Sequence, residues 1–276
     1  MGRSQSVPPI IFLVGWQDVT PSDSVDAADW IAPRLHPFAK DVGSIVPTGF
    51  AAYARIFHPA TGPVGHREVE MRWSEVAASS GRVAHPEMQF HAIATPVPGR
   101  PHDLAIWTGV PRDGTLSAAQ LSALAEILPS YTTTPNVCLM CLWEGYGYNT
   151  TAWMTAANTR ADLTPLAPVD PSFLARVSGP PRFAELLKRA KRVRLPGRDY
   201  LLFKGSVDQA EGWGDGPNLW WPEDHAWCVA SEIDFSYTYV GGSMKLIDEI
   251  LNHGDLEALP ATVDQGISHD SDRLNS

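Results

Sequence analysis

The sequence predicts an α+β fold: a mixed, mainly antiparallel central sheet with flanking helices. Three observations carry this. Short apolar runs of strand length stand beside segments with helical periodicity. The two kinds are interspersed without the regular strand–helix alternation of a doubly wound sheet. No internal repeat at a fixed period is visible. The 276 residues are treated as one domain, 1–276, with a possible internal boundary in the loop-rich stretch 145–172.

In chain order, residues 1–9 read as a loose polar arm and Ile10–Trp16 as a buried strand. Asp23–Arg34 has acids early and apolar residues at helical spacing, which predicts a short helix stopping near Pro33. Phe50–His58 follows the turn signal Pro47-Thr48-Gly49 and reads as a strand. Tyr53, Arg55 and Phe57 lie on one face, and Ala52, Ala54, Ile56 and His58 on the other. Trp73–Ser79 and Pro86–Ala92 are short helical pieces. Leu116–Leu128 is the strongest helix, capped by Ser117 with a stripe of Leu121, Leu124, Ala125 and Leu128.

Val137–Trp143 is a continuous apolar strand, Pro181–Ala190 a helix and Asp199–Lys204 a strand. Asp224–Phe235 alternates with period two. Trp227, Val229 and Ser231 share one face, and Cys228, Ala230, Glu232 and Asp234 the other. Gly241-Gly242 reads as a turn before a helix, Met244–Leu251, capped by Ser243. The last fifteen or so residues read as loosely ordered. His36-Pro37, His58-Pro59 and His85-Pro86 mark element boundaries, because the residue before proline is pushed towards extended geometry.

A formal charge of −10 disfavours general attraction to nucleic acid or anionic lipid. No apolar stretch approaches the ~18–20 residues of a membrane span, and the run at Ile10–Val14 is too short for a signal peptide. A cytoplasmic protein with neither nucleic acid nor membrane as partner is expected. Between Arg182 and Arg198 seven lysines and arginines face a single glutamate, a solvated basic face or a surface for an acidic partner.

Candidate chemistry concentrates in Pro217–Ser243. Trp220, Trp221, Trp227, Tyr237 and Tyr239 form an aromatic group suited to a core, a cationic ligand or a protein contact. Trp220 and Trp221 are adjacent, so one of the two is expected to be exposed or covered by a loop. Glu232 and Asp234 lie on one face, as ligands for a hard cation, as an acid–base pair working with His225 or His58, or as solvated carboxylates pairing with arginines.

Cys138 and Cys141, with His225 and Cys228, make a C-x-x-C and an H-x-x-C, a formal tetrahedral zinc set. Against zinc, Cys138 and Cys141 sit three apart in a strand-like run and so face opposite ways. No G-x-S-x-G, H-E-x-x-H or G-x-x-x-x-G-K-S/T motif occurs, and no cofactor is called for.

The segments DWIAPRLHPF, IVPTGFAAYARIFHPA, CLWEGYG and PNLWWPEDHAWCVASEIDFSYTYVGGS resemble an uncharacterised actinobacterial protein family. That resemblance implies one unit over most of the chain and a bacterial cytosolic setting, and it transfers no catalytic residue. In arrangement the chain is also similar to bacterial immunity-type α+β binding proteins. The expected function is therefore a ligand- or protein-binding module with an aromatic and acidic site. The alternative is a hydrolase or transferase using the carboxylate pair and a histidine.

Overall fold

The computed structural model describes residues 20–97, 106–146, 186–213 and 216–275. Its strands are β1 (Thr20–Pro21), β2 (Ala52–Phe57), β3 (Ala60–Val64), β4 (Arg67–Met71), β5 (Cys138–Trp143) and β6 (Lys191–Leu195). They continue with β7 (Arg198–Gly205), β8 (Leu219–Pro222), β9 (Cys228–Ser231), β10 (Tyr237–Gly242) and β11 (Ala258–Ala261). The helices are α1 (Trp73–Ser79), α2 (Phe90–Ile93), α3 (Ala118–Ile127) and α4 (Met244–Asn252). The fold is α+β, as expected.

Among the described residues nine strands form one sheet, its central path ordered β7-β5-β8-β9-β10-β2-β11, with every pairing antiparallel. The far edge of β7 is shared: β6 pairs along Arg198–Leu202 and β1 along Phe203–Lys204. β3 and β4 form a separate hairpin.

Antiparallel sheets commonly leave one face to water; this one is covered on both. On one face, α3, α4 and the 3-10 segment Val207–Trp213 pack over Ile56, Met140, Phe203, Trp220, Val229 and Val240. On the other, α1, α2 and 3-10 turns at Asp26–Ala28, Ala32–Arg34 and Val42–Ser44 cover Phe57, Cys141, Leu202, Trp221, Ala230 and Tyr239. The double cover explains why β5 reads CLMCLW with no polar alternation: both sets of side chains are core.

It also decides between the two expectations for the tryptophan pair: neither is exposed, and Trp221 is covered by the turn region that carries Trp30. Trp220 and Trp221 do point to opposite faces, yet both are 0% exposed, because each face has its own core. Trp227 packs edge-on against Trp220, and Tyr237 against Tyr239, all of them buried.

Other elements differ from expectation. Asp23–Arg34 forms two 3-10 turns in place of a helix, and the helix expected at Pro86–Ala92 shortens to Phe90–Ile93. The strand expected over Asp224–Phe235 shrinks to Cys228–Ser231; the alternation holds there, with Trp227 and Val229 in one core and Cys228 and Ala230 in the other. Gly241 and Gly242 are strand residues paired with Tyr53 and Ala52, not a turn. A Cβ on Gly241 would sit 2.5 Å from the Phe50 ring, so glycine is there for close approach.

The C-terminal stretch is tied down. Asp272 and Asn275 are buried, and Asp272 accepts from the Gln89 and Asn275 backbone N–H groups and contacts His85 Nε2 at 2.7 Å. The strand expected at Ile10–Trp16, nearly all of the proposed boundary at 145–172 and the first half of Pro181–Ala190 lie outside the described residues.

Candidate functional site

The sheet end where β5 finishes and the β6–β7 hairpin turns carries an open groove of about 510 Å³. It is lined by Trp143, Glu144, Gly145, Leu195, Gly197, Arg198 and Asp199. Leu195 and Arg198 also line a narrow recess beneath it, closed by Phe38, Ile45, Tyr200, Asn218, Ser231 and Glu232. The recess measures about 20 Å³, room for one water. A larger ligand fits only the outer groove, whose size suits a small molecule or a side chain.

Arg198 is the pivot. The hairpin turns through Pro196-Gly197, with Gly197 at φ +78°, a left-handed geometry that glycine adopts without steric cost. The Phe38 ring lies directly on that glycine, at 2.4 Å from where a Cβ would be. Across the groove the Trp143 ring folds back onto Gly145 in the same way. The guanidinium of Arg198 is held between these two aromatics, 5.0 Å from the Phe38 centroid and 5.7 Å from that of Trp143.

Four hydrogen bonds hold it. Arg198 Nε and Nη2 donate to Glu232 Oε1 at 3.1 and 2.6 Å, Nη2 donates to Asp234 Oδ2 at 2.8 Å, and Nη1 donates to the Gly197 carbonyl. Partial burial works against the charge, but Glu232 and Asp234 outweigh it and raise the Arg198 pKa. The two carboxylates singled out in the sequence are therefore together, and their partner is an arginine.

Glu232 is shielded while Asp234 is 70% exposed at the rim. Beside Asp234, partial burial and the Asp234 charge raise the pKa of Asp113. On the far wall Arg192 Nε reaches both oxygens of Glu144, at 2.8 and 2.9 Å.

Asn218 braces the floor. Its side-chain carbonyl accepts the Trp143 N–H, its N–H reaches the Cys141 carbonyl, and its own carbonyl accepts the Ser231 N–H. From Ser231 a hydrogen-bonded chain leads inward. Ser231 Oγ is 2.6 Å from Thr238 Oγ1, which is 2.9 Å from His58 Nε2, while His58 Nδ1 is 2.7 Å from the Arg112 carbonyl.

A carbonyl only accepts, so Nδ1 carries the proton and Nε2 of the neutral ring accepts from Thr238. Thr238 in turn accepts the Ser231 hydroxyl proton. Burial, with the charges of Arg112 and Arg55 against a modest gain from the Arg112 carbonyl, lowers the His58 pKa to about 4, which keeps the ring neutral. Two hydroxyl groups thus separate His58 from the recess.

His225 is at a different place. It adopts φ +55° in the turn after β8 and stacks on Trp30 at 4.5 Å. Burial and the Arg34 charge lower its pKa. Among the described residues no histidine lines the groove or the recess, so neither His58 nor His225 joins Glu232 and Asp234.

The zinc set is likewise not assembled. Cys138 belongs to one core, Cys141 and Cys228 to the other, and burial pushes all three thiols up, against the thiolate that zinc requires. Trp220, Trp221, Trp227, Tyr237 and Tyr239 are core residues and do not reach the groove.

The site's own residues, Arg198, Trp143 and Phe38, escaped sequence reasoning. One signal was present: Leu195-Pro196-Gly197-Arg198 between two strand-like runs is a hairpin turn, which would have set Arg198 at a strand start. Among the described residues, no helix is long and apolar enough to cross a membrane. Comparison with known proteins finds no family model, no curated protein and no solved structure that matches the chain.

Proposed function

We propose that the protein is a binding module that takes a basic segment of a partner protein in the groove beside Arg198. One observation carries this reading: the site already holds a guanidinium between two aromatic rings and two carboxylates. A second cationic side chain meets the same chemistry at the rim. There Asp199 and Asp234 are exposed, Trp143 is half-buried and Phe38 is 44% exposed. The exposed carboxylates of Asp199 and Asp234 draw such a partner in, more strongly at low salt.

An enzyme built on Glu232 and Asp234 needs a base or nucleophile within hydrogen-bond reach. Both carboxylates instead pair with Arg198, and His58 is separated from the recess by the hydroxyls of Ser231 and Thr238.

Titration calorimetry of the full chain with an arginine-rich peptide and a glutamate-rich peptide of equal length tests the proposal. The basic peptide alone should bind. Trp143→Ala should weaken it about tenfold, the equivalent of about 1.4 kcal/mol, and added salt should weaken it further. Equal affinity for both peptides, or a basic peptide that binds Trp143→Ala as tightly as the parent, overturns the reading.

A further inference from the structure

Next to the recess, the loop that supplies Leu35, Phe38, Ser44 and Ile45 to its wall carries a second group of side chains. His36, Asp41 and Asp264 each offer one donor atom, and the three atoms lie within 4.8 Å of one another. The fold builds this convergence. His36 N–H donates to the Gly43 carbonyl at 2.9 Å, closing the loop so that the imidazole faces Asp41. Gly43 leaves room for it, since a Cβ there would sit 2.6 Å from His36 Nδ1. Val42 N–H donates to the Gln265 carbonyl at 3.0 Å and Gly43 N–H to the Val263 carbonyl at 2.8 Å. These two bonds bring Asp264 alongside from the other end of the chain.

We propose that His36, Asp41 and Asp264 form a zinc site that clamps the 35–45 loop to residues 263–265. One imidazole nitrogen and two carboxylate oxygens, with water in the fourth position, make a donor set that zinc accepts. Calcium, which takes six to eight oxygens, is served poorly.

In a tetrahedral site with metal–ligand lengths of about 2.1 Å, neighbouring donors stand about 3.4 Å apart. His36 Nδ1 and Asp41 Oδ1 are now 2.8 Å apart, joined by a hydrogen bond. Metal binding opens that contact slightly, and the ring then carries its proton on Nε2. Asp41 is 4% exposed, so the loop holds it in place, whereas Asp264 is exposed and free to close on the ion. Lys40 Nζ lies 3.5 Å from Asp41 Oδ2 but is 62% exposed, so it can swing out to solvent.

The experiment uses the full chain stripped with a chelator and titrated with zinc chloride by calorimetry, with melting temperature followed in parallel. One zinc per chain and a raised melting temperature are expected. Asp264→Asn and His36→Gln should each weaken binding by at least about tenfold. Asp264→Asn alters an exposed side chain, and an unchanged metal-free melting temperature shows that its fold is intact. Absence of saturable binding overturns the proposal. So does binding that is equal in the parent and both variants, which would place the metal elsewhere, for instance on the cysteines.

Discussion

His58 shows how much one residue's meaning depends on partners that the sequence keeps apart. As His58-Pro59 it marks the end of a strand, and that much was legible. Its role as the inner end of a hydrogen-bonded chain was not, because Arg112 and Thr238 lie 54 and 180 residues away. The buried ring has a measurable consequence. The folded-state pKa is about 4 against 6.5 in the unfolded chain, so between these pH values the unfolded state binds the proton and the folded state does not. Stability is therefore fully present above pH 6.5, falls as pH drops towards 4, and stops falling below that. The whole contribution is about 3 kcal/mol. Urea melts of His58→Gln across this range should show a shallower slope than the parent, and a slope equal to the parent's would refute the account. Arg198 illustrates the same limit: the basic run was visible, but its last member departs from the solvated face because a hairpin delivers it to Glu232 and Asp234.

At the scale of elements, apolar runs and capping signals placed elements well, whereas period-two alternation assigned faces but overran the strand at Asp224–Phe235. β2, β5, β7, α1 and α3 appear where apolar spacing puts them, and Ser117 and Ser243 cap their helices through Gln120 N–H and Leu246 N–H. Replacing Ser243 by alanine should cost about 1 kcal/mol, read as a lowered urea midpoint with unchanged slope. The Gly241-Gly242 pair misled because glycine in a sequence signals a turn equally well as a close approach. Here β10 runs on beneath Phe50 and Leu246. Gly241→Ala should therefore destabilise by about 1–3 kcal/mol through overpacking, a loss that thermal melting detects. A melting temperature matching the parent's would show that the Phe50 ring moves aside at no cost.

For the whole molecule, the decisive fact is that both faces of the nine-stranded sheet are covered. Sequence patterning shows which residues turn away from each other, as in Trp220-Trp221, but not whether a second layer waits on the far side. That layer comes from 3-10 turns and short helices with little periodicity of their own. With both faces closed, the tryptophan-rich strands become core, and a site is left to the sheet's end, where loop 35–45, β5 and the β6–β7 hairpin meet. Hydrogen–deuterium exchange of the full chain, with and without a saturating arginine-rich peptide, tests this placement most directly. Slowed exchange at residues 35–45, 143–145 and 195–199, with 219–231 unaltered, is the predicted result. Protection confined to the Trp30–His225 surface, or to no part of the groove, would contradict it.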